Sequence, residues 1–216
     1  MATKQQITLI DAPSGVLEVD SIWQGGQRCA SDALAVICHP NPTQGGTMNN
    51  KVVSTMYRFC RDAGMDTIRF NFRGVGRSTG SVGTGMGELD DAMTVLRYAL
   101  SCTPARKLWL GGFSFGGYIA CQLASAITAS DEFNDVVLHN LALVAPSIMR
   151  QGMQTTQWQA NRSFVIYGDQ DELVSPASLA KFVQDRQLPH TVLTTGHFFH
   201  GKLVELRDAL QQHTLP

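Results

Sequence analysis

Residues 111–117 read Gly111-Gly112-Phe113-Ser114-Phe115-Gly116-Gly117, and the fold follows from what flanks them. Upstream, Arg106-Lys107-Leu108-Trp109-Leu110 is a short apolar run of the kind that makes a buried strand. Downstream, Tyr118-Ile119-Ala120-Cys121-Gln122-Leu123-Ala124 reads as a helix of small and apolar residues. Gly112-x-Ser114-x-Gly116 therefore sits where a strand turns sharply into a helix, the setting of a nucleophile elbow. A side chain two residues either side of the serine would collide with so tight a turn, which accounts for the glycines. The turn lifts the Ser114 hydroxyl above the sheet edge and aims the free N–H groups of the helix start at whatever that hydroxyl meets. Glycine and serine are also ordinary turn residues, so the motif alone does not separate a nucleophile from a plain turn. A later acid and histidine, each following a further strand, would separate them.

Working outward, the same alternation repeats. Ala33-Leu34-Ala35-Val36-Ile37-Cys38 is a continuous apolar run, as expected of a strand buried on both faces. His39 to Met48, with two prolines and two glycines, is a fixed irregular loop. Val52, Val53, Met56, Phe59, Cys60 and Ala63 fall at helical spacing over residues 50–63, and Gly64 suits the helix end. Thr67 to Phe72 is a strand, and Glu88 to Leu100 is a helix with acids in its first turn. Beyond the elbow come strands at Leu141 to Pro146, Phe164 to Tyr167 and Thr191 to Thr194. A helix opens at Ser175-Pro176, and a closing helix carries Leu203, Leu206 and Leu210. Before all of these, Ile7 to Ile10 and Val16 to Trp23 make two strands joined at Pro13-Ser14-Gly15. No helix separates them, so they should pair antiparallel at one edge. Gly25-Gly26 then breaks the chain. Strands alternating with helices predict an α/β fold, a mostly parallel sheet with helices on both faces, formed by residues 1–216 as a single domain.

Composition narrows the function classes. A chain of 216 residues with net charge −1 and 16% charged residues has no global field that favours nucleic acid or an anionic membrane. The expected partner is a small-molecule substrate. The five cysteines, Cys29, Cys38, Cys60, Cys102 and Cys121, lack CxxC spacing and read as free, mostly buried thiols of a reducing compartment. Residues 1–6 have no apolar core, and no apolar run is long enough to span a bilayer, so the expected location is the cytoplasm.

Two motifs resemble nucleotide sites and fail on detail. Arg73-Gly74-Val75-Gly76-Arg77-Ser78-Thr79-Gly80 follows a later strand, has the wrong glycine spacing, and runs on into more glycines before any helix; a flexible rim loop fits better. Gly196-His197-Phe198-Phe199-His200-Gly201-Lys202-Leu203 puts leucine where a Mg²⁺-ligating hydroxyl is required and crowds the cradle with phenylalanines. No ligand set implies a metal, and no cofactor is expected.

Acid and histidine do follow. Gly168-Asp169-Gln170-Asp171-Glu172-Leu173-Val174 comes after the Phe164 strand, and Gly196-His197-Phe198-Phe199-His200 after the last one. Serine, acid and histidine thus each end a strand, on the edge of a parallel sheet where ligands bind, in the chain order Ser, Asp, His. On the residues alone, Asp169 rivals Asp171 and His200 rivals His197.

These pieces resemble the α/β-hydrolase superfamily, and within it small lidless bacterial serine hydrolases. The resemblance rests on His39-Pro40-Asn41-Pro42 with Gly45-Gly46-Thr47-Met48, Asn71-Phe72-Arg73-Gly74-Val75-Gly76-Arg77-Ser78, the elbow, and the two loops just quoted, in order over nearly the whole chain. It implies the α/β-hydrolase fold without a lid domain, with Ser114 as nucleophile, Asp171 as acid and His197 as base. It also implies an oxyanion hole shared with the His39-Pro40-Asn41 loop. The donors assigned are the N–H of Phe115, which follows the nucleophile, and that of Asn41, since Pro40 and Pro42 have none. The implied activity is cleavage of small carboxylic esters or thioesters through an acyl-enzyme. A peptidase or amidase of the same fold, or a binding protein built on it, is the alternative. Only Ser147 to Arg162 fills the place where relatives insert a lid, too short a segment to bury a core of its own, so the site should be open. Met149, Met153 and Trp158 in that segment are candidates for the acyl side, with core packing as the other reading.

Overall fold

The computed structural model describes residues 4–24 and 32–215. The predicted break at Gly25-Gly26 and Cys29 lie outside them. Strands β1 (Lys4–Ala12) and β2 (Gly15–Trp23) form the expected antiparallel hairpin. The α/β alternation follows: β3 (Ala33–Cys38), α1 (Lys51–Asp62), β4 (Asp66–Phe70), α2 (Met86–Cys102), β5 (Lys107–Phe113) and α3 (Phe115–Ala129). Then come β6 (Val137–Val144), β7 (Arg162–Gly168), α4 (Pro176–Asp185), β8 (His190–Leu193) and α5 (Leu203–His213).

The eight strands lie in the order β1-β2-β4-β3-β5-β6-β7-β8. All pairs from β4 through β8 are parallel, while β2 meets β4 antiparallel. Strand period explains the burial. In β3, Leu34, Val36 and Cys38 enter one core and Ala33, Ala35 and Ile37 the other. The first core is covered by α2, α3 and α4, the second by α1 and α5. A strand with an apolar layer on each face must be apolar throughout, which is why these runs do not alternate with polar residues.

From β3 the chain passes through α1 to β4 on one side, then crosses back through α2 to β5 on the other. The direction of winding reverses between β3 and β5, so their C-terminal ends flank a crevice. The His39 loop follows β3, and Ser114 follows β5.

Three expectations change. The strand after α1 ends at Phe70 rather than Phe72: Asn71 N–H makes a last bond to β2 at the Glu18 carbonyl (2.9 Å), and Phe72 N–H then leaves the sheet for the His39 ring (3.0 Å). Strand β6 begins at Val137, before the apolar stretch; its polar start pairs with β5 and β7, across an irregularity near Trp109. The 73–80 segment is not a loosely held rim. Arg73 pairs with buried Asp91 (2.8 Å), Gly74 N–H meets the Thr79 carbonyl (3.0 Å), and Arg77 N–H meets the Glu18 carboxylate (3.0 Å). Residues 145–161, between β6 and β7, form turns and irregular chain with no helix or strand, so there is no lid domain. No helix among the described residues is long and apolar enough to cross a membrane.

Candidate active site

Ser114 is the single residue between β5 and α3, at φ 56° and ψ −115°. Positive φ is costly for a side-chain-bearing residue and persists only where the surroundings enforce it. They do so through the backbone. Ser114 N–H donates to the Val144 carbonyl (2.9 Å), and its own carbonyl accepts from Gly117 (3.0 Å), Tyr118 (3.3 Å) and Ser147 (3.0 Å). A Cβ on Gly112 would overlap the Gly116 carbonyl, and one on Gly116 would overlap the Cys38 carbonyl, so the turn closes only with glycine at both positions. The Ser114 hydroxyl lies 3.4 Å from that of Ser147, at the long end of hydrogen bonding.

His197 is buried in the loop after β8, its ring 5.0 Å from that of Phe113 and 5.2 Å from that of Phe198. Its main-chain N–H donates to the Glu172 carboxylate (3.1 Å). Its Nδ1 lies 2.7 Å from Asp171 Oδ2. The other Asp171 oxygen accepts from the N–H groups of Leu173 (2.9 Å) and Val174 (2.8 Å). Burial alone would raise the Asp171 carboxyl, but the bond from His197, the Val174 N–H, the imidazole charge and the Leu173 N–H outweigh it and hold it below the ordinary value. A carboxylate there requires the proton on Nδ1, so in the neutral ring Nε2 is the atom with the lone pair. The rivals stand apart: Asp169 is exposed and accepts from Thr194 Oγ1 (3.4 Å), and His200 is exposed before α5.

The loop after β3 is fixed from below. Buried His39 accepts the Phe72 N–H on Nε2 (3.0 Å), so its Nδ1 carries the proton and donates to the Pro40 carbonyl (2.7 Å). Asn71 accepts the Met48 N–H (2.9 Å) and donates to the Glu18 carboxylate (2.8 Å). The Asn41 side chain caps Thr43, and its carbonyl accepts from Gln44 (3.1 Å) and Gly46 (3.0 Å). Its N–H has no acceptor among the described residues, and neither has that of Phe115, the first residue of α3.

The three substrate-side candidates are not brought together. Met149 is 79% exposed. Met153 is fully buried in the core under α3 and α4, which corrects its assignment to the acyl side. Trp158 lies beside α4, donating to Ser163 (2.9 Å) under the Arg186 guanidinium (4.6 Å). Arg186 causes both placements, since its Nη2 binds the carbonyls of Met153, Gln154 and Thr156 and draws the segment onto α4. A cavity of about 470 Å³ lined by Phe59, Trp109, Asn140 and Leu215 opens at the N-terminal ends of the strands and contains none of the site residues.

The sequence alone assigns no role to Glu18, Asn71, Ser147 or Arg150. Each acts through a contact with a distant segment, and only Asn71 and Ser147, beside motif residues, carried any local signal.

A family model described as the alpha/beta hydrolase fold matches residues 36–162. An uncharacterized protein of Rickettsia prowazekii is 30% identical over 198 residues, 84% of this chain and 78% of its own length. Among solved structures, an alpha-beta serine hydrolase homologue from Coxiella burnetii is 36% identical, with TM-score 0.84 over 98% of both chains. A serine hydrolase without a lid from Xanthomonas campestris is 35% identical, with TM-score 0.85 over 99% of this chain and 94% of that one. With an elbow serine after β5 and a histidine–aspartate pair at the same sheet edge, the chain belongs to the alpha/beta hydrolase family.

Proposed function

We propose that the protein is a serine hydrolase that cleaves small carboxylic esters or thioesters through an acyl-enzyme, with Ser114, His197 and Asp171 as its triad. The observation that carries this reading is the buried 2.7 Å bond between His197 and Asp171, packed on Phe113, the residue before a serine held at positive φ. A serine hydroxyl is a weak nucleophile until a base takes its proton. His197 Nε2 takes it as Oγ attacks the carbonyl, and Asp171 holds the tautomer and stabilises the imidazolium. The oxyanion accepts from the N–H groups of Phe115 and Asn41, each worth about 3 kcal/mol of barrier. The intermediate collapses, His197 protonates the departing alcohol or thiol, and water attacks the acyl-enzyme by the same route. Proton and charge return to their starting places, so no cofactor is needed. The free thiols Cys38, Cys60, Cys102 and Cys121 suit a reducing cytoplasm.

The test is covalent labelling with a neutral fluorophosphonate, alongside turnover of short-chain aryl esters. Wild type should label and turn over, while Ser114→Ala should do neither and His197→Ala should label at a small fraction of the wild-type rate. A folded wild type that fails to label overturns the proposal.

A further inference from the structure

Arg150 follows Ser147 by three residues, in the turn after β6, and its N–H donates to the Ser147 carbonyl (3.3 Å). Its guanidinium carbon stands 4.4 Å over the Phe115 ring and 5.7 Å from that of Tyr118. Nη1 donates to the Thr84 carbonyl (3.1 Å), so the head group is held between two rim segments. It rests on the ring of the residue whose N–H is assigned to the oxyanion. Bond lengths alone then keep the guanidinium within about 10 Å of the Phe115 backbone.

Arg186 shows what a stacked arginine with a structural job looks like here. It too lies over aromatic rings, at 4.6 and 5.1 Å, but its Nη2 is spent on three carbonyls. Arg69 and Arg73 are each paired with a buried aspartate. Among the described residues, Nε and Nη2 of Arg150 have no acceptor, and no carboxylate lies within ion-pair distance. A partly exposed guanidinium, stacked and anchored by one nitrogen, presents the remaining fork to an incoming anion.

The sheet decides which half of a substrate it meets. Phe115 belongs to the core under α2, α3 and α4, whereas Phe113, whose ring packs on that of His197, belongs to the core under α1 and α5. The leaving group must depart beside His197, which protonates it, so Arg150 is on the acyl side. Met86 and Met149, 76% and 79% exposed, stand next to the two segments that Arg150 joins and suit an apolar spacer.

Resting on the hydrolase reading, we propose that Arg150 is a specificity residue that binds a carboxylate on the acyl group, so that the preferred substrates are esters or thioesters of dicarboxylic acids. The test compares two para-nitrophenyl esters of equal acyl length, the adipate half-ester and the neutral hexanoate. Wild type should favour the charged ester by about tenfold in kcat/KM, the scale of one partly exposed charge-assisted hydrogen bond. Arg150→Met should abolish that preference, Arg150→Lys should keep part of it, and salt at about 0.5 M should erode it in wild type alone. A wild type that hydrolyses the hexanoate as well as the half-ester overturns the inference. So does an Arg150→Met variant that slows both esters equally, the mark of a strap between loops. Labelling of wild type by the neutral fluorophosphonate keeps the two failures apart. With labelling but no charge preference only the anion site falls; without labelling the hydrolase reading falls first.

Discussion

His39 couples the titration of a buried ring to the loop that carries Asn41. Burial lowers its pKa from 6.5 to about 4, opposed in part by the bond to the Pro40 carbonyl. Above pH 6.5 the ring is neutral in both the folded and the unfolded chain and adds no pH dependence. Below it, the unfolded chain binds a proton that the folded chain refuses, so stability falls as the pH drops and goes on falling until the folded ring protonates near pH 4. At about 1.4 kcal/mol per pH unit over that window, the loss reaches about 3 kcal/mol, a large part of a domain's margin. Protonation would also remove the acceptor on Nε2 and release the Phe72 N–H. The assay is urea unfolding of wild type and His39→Gln at about pH 7.5 and about pH 4.5, inside the titration window. At the higher pH the variant should be weaker by about 1–2 kcal/mol, for one buried bond poorly replaced. Between the two values wild type should lose roughly 2–3 kcal/mol more than the variant. Equal losses in the two proteins would refute the reasoning.

Asp171→Asn should lower kcat on an aryl ester by on the order of a thousandfold or more, because an amide cannot hold the imidazole in the same tautomer; a far-ultraviolet spectrum like that of wild type would show that folding is not the cause. Gly112→Ala places a Cβ against the Gly116 carbonyl and should cost about 3 kcal/mol or prevent soluble expression, read by urea midpoint. Gln187, at φ 53°, ends α4 in a Schellman arrangement, its N–H on Gln184 (3.1 Å) and that of Leu188 on Val183 (2.9 Å). Gln187→Gly should therefore stabilise by about 0.5–1 kcal/mol and raise Tm by a few degrees.

The strands and helices were legible because a sheet covered on both faces demands long apolar runs, and residues 33–38 or 164–167 have no other reading. The polar start of β6 was not legible, since its pairing partners override its composition. The elbow, the Asp171 loop and the His197 loop carried local signals, each a strand end followed by turn chemistry. On the residues alone Asp171 and Asp169 look alike in their turn; the resemblance implied Asp171, and the placement of β7 beside β8 brings that one to the imidazole. Met153 kept two readings, acyl side or core, because an apolar residue in a polar segment is the same letter whether it faces a cleft or a core. Arg186, thirty-three residues later, decides which. The contact between Glu18 and Asn71 was invisible for a similar reason, the two residues being fifty-three apart.

The first turn of α3 rests on the end of β3 through main-chain atoms, with no side chain interposed at Gly112 or Gly116. At those two glycines the spacing of Ser114 from the His39–Asn41 loop is set by main-chain contact, so core side chains other than Phe72 and Phe115, which pack between His39 and α3, can change size with little effect on it. For an engineer this divides the molecule. The other apolar positions under the helices are open to redesign for heat resistance, while the few backbone contacts at the crevice act as a fixed gauge block against which any new specificity must be machined.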